Sequence, residues 1–155
     1  LGKREIVIPM SGRVSWDDYF LDIATLVARR STCIRRMYGA VIVDERHRVI
    51  STGYNGSPFG DEHCTDVGCW REEHGIPHGE QYEKCVAVHA EQNALISANG
   101  KEIVGATIYL AGYDCAKEKW IEGVPCDICR PMLRNSGIKT LVTRNENGEV
   151  IKKDL

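Results

Sequence analysis

Two periods of hydrophobic and polar positions take turns along this chain. Tyr19, Phe20, Ile23, Leu26 and Val27 recur at helical spacing, which predicts a core-facing helix running to about Arg30. Ser15 stands as its N-cap, with Asp18 three residues on. Ala40–Val43 and Val49–Thr52 read as two strands about a charged turn at Glu45–His47, in which His47 is a solvated residue. Gly53-Tyr54-Asn55-Gly56-Ser57-Pro58 is a dense turn signal. Residues 59–86 have no period, yet hold Cys64, Cys69, Cys85, His63, His74 and His78. So long a structureless segment in a compact domain needs something to pin it.

Downstream, His89 to Asn99 predicts a helix closed by Gly100 at the C′ position. Ala106–Ala111 reads as a strand, and residues 112–124 as a loop. Pro125-Cys126 opens a short helix that ends before Gly137, with Pro131 tolerable only if that helix has barely begun. Ile138–Thr143 is a strand, Asn145–Gly148 a turn, and Val150-Ile151 a short last strand. With no repeat and no linker, strands alternating with helices predict one α/β layered domain over residues 1–155.

The composition supports a folded globular chain, with 43% hydrophobic and 27% charged residues. No apolar run approaches the roughly 20 residues of a membrane helix. No charged, apolar and small leader stands at the start, so a cytoplasmic protein is expected. The chain begins at Leu1, which predicts a trimmed or atypical start. A net charge of −2 argues against an extended nucleic-acid face. It leaves room for a small phosphorylated ligand, since two or three local donors hold one phosphate; Arg35, Arg36, Lys84 and Lys117 are candidates, each more readily read as a solvated surface charge. Seven cysteines, an odd count without a leader, speak for metal ligation or catalysis over a disulfide framework.

The chemistry concentrates in His89-Ala90-Glu91 and Pro125-Cys126-Asp127-Ile128-Cys129. A CxxC alone serves equally as a zinc knuckle or a redox pair. Together the two segments match the known H-x-E…P-C-x-x-C signature of zinc deaminases. One imidazole and two thiolates give zinc three protein ligands and leave a fourth tetrahedral position for water, the arrangement of a catalytic site. All three fall at predicted helix N-termini, where partial positive charge is expected to lower thiol pKa values. Zinc brings the pKa of a bound water to roughly 7. Glu91, two residues past His89, reaches the same pocket and serves as proton shuttle to the ring nitrogen and the leaving ammonia. The competing reading is a closed structural site completed by Cys115, with Glu91 unrelated.

The sequence resembles the deoxycytidylate (dCMP) deaminases of the cytidine deaminase superfamily. The resemblance is carried by Arg30-Ser31-Thr32-Cys33, Val41-Ile42-Val43, Gly53–Pro58, the Cys64…Cys69…Cys85 loop, Val88–Leu95 and Pro125–Cys129 followed by Ser136-Gly137-Ile138. These segments stand in family order and cover most of residues 15–144. The resemblance implies a three-layer α/β/α fold around a mixed five-stranded sheet, with zinc on His89, Cys126 and Cys129 and Glu91 as proton donor. It implies a substrate site that includes Asn55, placed to hydrogen-bond the deoxyribose, and Ala90. It also implies a homo-oligomer, often a hexamer, activated by dCTP and inhibited by dTTP, with Mg2+ accompanying the regulatory nucleotide. Two departures stand out: the segment Gly112–Val124, where the family runs almost directly from strand to Pro-Cys, and the short stretch after Thr143.

Five cysteines remain outside the signature. Cys33, Cys64, Cys69 and Cys85 could close a tetrahedral structural zinc site that pins the long loop to the end of the first helix, and related enzymes often carry a second zinc there. His63, His74 or His78 could replace one ligand. The alternative is four reduced packing cysteines, and Cys115 is left over. Two rival functions compete with dCMP deamination. One is a tRNA adenosine deaminase using the same machinery; the other is a catalytically silent nucleotide-binding regulatory protein, which would have no need of a proton shuttle.

Overall fold

The structure is a computed structural model that describes residues 12–100 and 102–155. The start of the chain, on which the leader reading rests, lies outside the described residues. The first helix, α1 (Trp16–Ala28), begins where Ser15 accepts a hydrogen bond from the Asp18 amide. Strands β1 (Arg36–Val43) and β2 (Val49–Tyr54) follow as an antiparallel pair. The segment after β2 holds two one-turn helices, α2 (Cys64–Val67) and α3 (Trp70–Glu73), and a 3₁₀ turn at Tyr82–Lys84. Helix α4 (Ala90–Ser97), strands β3 (Thr107–Asp114) and β4 (Lys119–Glu122), helix α5 (Cys129–Asn135) and strands β5 (Thr140–Arg144) and β6 (Val150–Asp154) complete the order.

The strands form one mixed sheet in the order β2-β1-β3-β5-β6, and β4 pairs with β3. Only β3 and β5 run parallel, because α5 crosses between them as β-strands joined by a crossover require. β1 covers one edge of β3 along its whole length. On the other edge, β5 takes the first half of β3 and β4 the second. The period-two pattern divides the core. Ala40, Ile42, Ile108, Leu110 and Leu141 face α4 and α5, whereas Val41, Val43, Tyr109, Ala111 and Val142 face α1. A sheet with helices on both faces gives the expected three layers.

Four expectations need correcting. Segment 112–124 is not a loop: it completes β3 and turns back as β4, so the sheet has six strands rather than five. Asp114 makes that turn by accepting hydrogen bonds from the Ala116 and Lys117 amides. Gly53 and Tyr54 belong to β2 rather than to a turn. Helix α4 ends at Ser97, where Ala98 turns extended, so Gly100 does not cap it. In α1, Phe20, Leu21, Ala24 and Ala28 face the sheet, while Tyr19 and Leu26 lie off that arc and are exposed.

Candidate active site

The site is built where α4 and α5 begin on one face of the sheet. His89 is the N-cap of α4, and its amide donates to the Gln92 side-chain oxygen at 2.9 Å. Cys129 is the first residue of α5, and Cys126 precedes it by one turn, with the Arg130 amide donating to its carbonyl. Pro131 is the third residue of α5, inside the first turn where a missing N–H costs little. The Gln92 amide also donates to Met132 Sδ at 3.8 Å, bracing the two helix starts against each other.

His89 Nδ1 lies 3.5 Å from Cys126 Sγ and 3.3 Å from Cys129 Sγ. Zinc–nitrogen and zinc–sulfur bonds at a tetrahedral angle place N and S about 3.6 Å apart, so the three side chains already stand near a metal's coordination edges. Among the described residues this is the only group bringing three such ligand atoms within 4.8 Å of one another. Cys115 does not join it, and the fourth position is left to a non-protein ligand. His89 is held below the ordinary imidazole range by burial and then by the charge of Arg71, which keeps the ring neutral, as a ligand must be.

Cys129 departs from the sequence expectation. Its thiol is pushed upward, first by burial and then by the negative charges of Glu91 and Cys126. The short α5 does not outweigh that desolvation, so its proton leaves only in exchange for a metal. Glu91 is buried, and burial raises its carboxyl. A hydrogen bond with Cys129 opposes that rise. A carboxyl raised in this way keeps a proton more readily than a free one, which suits a group that must take up and hand on protons.

These groups open into a cavity of about 580 Å³. Its wall includes the sequence-predicted His89, Ala90, Glu91, Cys126 and Asn55, and also Glu122 and Val124 from the β4 hairpin. Its charged side carries Arg35, Arg36, Arg71 and His78. Arg36 bonds His78 Nε2 at 3.0 Å and lies 3.5 Å from Asp114. Arg35 Nη1 is buried with no partner.

The chain matches the family model described as the cytidine and deoxycytidylate deaminase zinc-binding region over residues 14–145. It belongs to that family. The deoxycytidylate deaminase of Schizosaccharomyces pombe is 39% identical over 142 residues, covering 92% of this chain and 41% of the yeast protein. That of Mycobacterium phage D29 is 40% identical over 140 residues, covering 87% of this chain and 98% of the phage protein. The chain thus spans less than half of the fungal relative and nearly all of the phage one. Among solved structures, the apo dCMP deaminase of cyanophage S-TIM5 shares the fold, with a TM-score of 0.59 at 24% identity over 83% of this chain and 82% of that one.

Within this deaminase frame, Asn55 is buried and largely committed. Its Oδ1 accepts from Ser31 Oγ at 2.6 Å and the Tyr38 amide at 2.8 Å, and its Nδ2 donates to the Arg36 carbonyl at 2.9 Å. Of its four hydrogen bonds, one donor remains for a ligand. Ala90 is fully buried beside Glu91. Cys33 and Cys85 reach the wall of the cavity, while Cys64, Cys69 and Cys85 line a neighbouring cleft of about 610 Å³. All seven cysteines are free thiols. Two phosphate candidates miss the cavity: Lys84 lines the cysteine cleft and Lys117 the far side of the hairpin. The reading of the sequence missed Arg71 and Tyr82, and offered His78 as a spare ligand of a second zinc where the structure places it on the cavity wall. They lie in the aperiodic segment, where neither spacing nor neighbours marks a pocket residue. No helix among the described residues is long and apolar enough to cross a membrane.

Proposed function

We propose that this chain is a single-domain hydrolase that converts dCMP to dUMP and ammonia. The observation that carries the reading is one cavity lined by His89, Cys126, the buried Glu91 and three arginines, with Cys129 clustered behind the first two. Relatives named deoxycytidylate deaminase support it. Zinc held by those three residues supplies an activated water at neutral pH. Glu91 takes the proton of that attacking water and passes it to the ring nitrogen beside the attacked carbon. It then takes the proton still on the added oxygen and delivers it to the amino group, so that the C–N bond breaks, ammonia leaves and the carbonyl of dUMP forms. The remaining Nδ2 hydrogen of Asn55 meets the sugar, and the backbone about Ala90 borders the base. Arg35, Arg36 and Arg71 form the phosphate end. There a dianion would satisfy Arg35 Nη1 and offset the charges of the three arginines, of which Arg36 lies 3.5 Å from Asp114.

Cys33, Cys64, Cys69 and Cys85 are assigned to a second, structural zinc. Burial raises both Cys33 and Cys64; the charges of Cys85 and Cys69 add to it at Cys33, and those of Cys69, Cys33 and Cys85 at Cys64, so these thiols stand within electrostatic reach. The neighbouring His63 keeps a buried Nδ1 without a partner. The wider reading is a cytoplasmic homo-oligomer, up to a hexamer, regulated by dCTP and dTTP with Mg2+; it rests on the resemblance.

The test is ammonia release from cytidine, deoxycytidine, CMP, dCMP and dCTP. The highest kcat/KM is expected for dCMP. A preference for the unphosphorylated nucleosides would remove the arginine assignment, and turnover of tRNA adenosine alone would replace the function. Metal analysis is expected to find two zinc ions per chain. One ion, with all four outer cysteines alkylated in the native state, would remove the second site.

A further inference from the structure

We propose that Tyr82, seated on an Arg71 clamp, is a positioning residue that keeps the His89 imidazole turned toward Cys126 and Cys129. The inference rests on His89 being a metal ligand. The Tyr82 ring meets the His89 ring edge to face, with centroids 5.2 Å apart at 88°. It also contacts Arg71, whose guanidinium carbon lies 4.7 Å from the Tyr82 centroid. Arg71 is only 5% exposed, and long cations are almost never buried without a partner. No carboxylate among the described residues forms an ion pair with it. Instead its Nε donates to the Glu80 carbonyl at 2.9 Å and its Nη2 to the Pro77 carbonyl at 3.1 Å. One planar guanidinium therefore ties together the turn that delivers Tyr82, a task its fixed fork suits and a lysine's point charge does not.

The backbone carries a cost at the same place. Gln81 adopts φ 50° and ψ 47°, a left-handed conformation that residues with a Cβ take up only when surroundings impose it. That strained residue turns the chain so that Tyr82 lies against His89 instead of pointing to solvent. A plain packing role would not need it, because Tyr82 stays half-exposed along the cavity wall. His89 has its Nδ1 toward the two thiols, and among the described residues no side-chain hydrogen bond to a carboxylate orients the ring. The Tyr82 ring adds to the capping contact that the His89 side chain takes from the Gln92 backbone amide, in the manner of the outer partners that orient metal-ligating histidines. Tyr82 also meets the His78 ring at 6.3 Å, so it stands between the cationic end of the cavity and the ligand set.

The test uses the full chain as Tyr82→Phe, Tyr82→Leu, Arg71→Met and Arg71→Lys, with zinc affinity from chelator competition and the d–d spectrum of the cobalt-substituted protein. Tyr82→Leu is expected to weaken zinc by about 10–100-fold, as loss of an outer-shell partner does, and to shift the cobalt bands. Tyr82→Phe keeps the ring and should match the wild type in both. Arg71→Met and Arg71→Lys should both shift the spectrum, and Arg71→Met should also raise KM, whereas Tyr82→Leu should act mainly on kcat. Unchanged zinc affinity and cobalt spectrum in Tyr82→Leu would overturn the inference. So would a Tyr82→Phe variant as impaired as Tyr82→Leu, since the ring would then not be the acting part. A wild-type chain that binds no zinc would remove the metal reading, and this inference with it.

Discussion

Gly53→Ala should damage the site without touching any of its side chains. Gly53 lies in β2 directly under α4, and a Cβ there would sit 2.4 Å from the Ala90 carbonyl oxygen and 2.4 Å from the Ala94 nitrogen. A carbon normally approaches such an oxygen to about 3.3–3.6 Å, so the start of α4 must retreat by roughly 1 Å. It cannot swing freely, because Ser51 Oγ bonds the Ala94 carbonyl and Asn93 Nδ2 bonds the Tyr54 carbonyl, both at 2.8 Å. Overpacking of this kind costs about 1–3 kcal/mol, or roughly 2–12 °C in Tm for a chain of this size. His89 and Glu91 ride on the displaced turn, and a 1 Å misplacement can cost about 100-fold in rate. The comparison variant is Gly39→Ala in β1, whose Cβ would meet the Ala24 carbonyl at 2.1 Å and the Ala28 nitrogen at 2.5 Å. That collision falls on α1, across the sheet from the site. Both variants should lose Tm, measured by calorimetry. Only Gly53→Ala should lose kcat and zinc affinity, assayed by ammonia release and chelator competition below either transition. Equal losses of kcat in the two variants, or wild-type kcat in Gly53→Ala, would refute the reasoning.

Glu91→Gln should retain zinc and substrate but lose about 100- to 10,000-fold in kcat, and near-normal turnover of the zinc-loaded variant would end its role as shuttle. Cys129→Ala should lower zinc by one ion per chain in elemental analysis while the circular dichroism of the fold persists; unchanged stoichiometry would disprove the ligand assignment. Cys64→Ser should lower Tm and raise KM more than it changes kcat, since a structural zinc contributes folding free energy and its loop leads into α4; an unchanged Tm would favour a packed thiol. Asp114 is held below the ordinary carboxylate range, first by the Lys117 amide and, after an opposing desolvation, by Arg36. A depressed folded value means that its contribution is complete above the unfolded pKa of about 3.9 and is lost as pH falls through the lower folded one. Asp114→Asn should therefore flatten the acid limb of a Tm–pH curve below about pH 4, and an identical acid limb would remove Asp114 from that linkage.

By itself the sequence determined whatever depends on local spacing. Period-two runs such as Ala40–Val43 placed alternate residues on opposite faces of the sheet, the Ser15 cap placed the start of α1, and His-x-Glu with Pro-Cys-x-x-Cys singled out the three side chains that cluster, His89 at the N-cap of α4 and Cys126 and Cys129 at the approach to α5. Only the tertiary structure decided the rest. Gly53 looked like a turn residue because glycine serves turns and close approaches alike, and nothing nearby in the chain announces that α4 will pass over it. Segment 112–124 looked like a loop because Gly112 and Gly123 bracket polar residues, yet β3 offered an unpaired edge that Lys119–Glu122 could fill. Arg71 and Tyr82 carry no local signature at all, and His78 carried one only as a possible metal ligand. One buried guanidinium folds the loop on itself by holding two backbone carbonyls six and nine residues on, and only the packing of that loop against the start of α4 brings Tyr82 to His89.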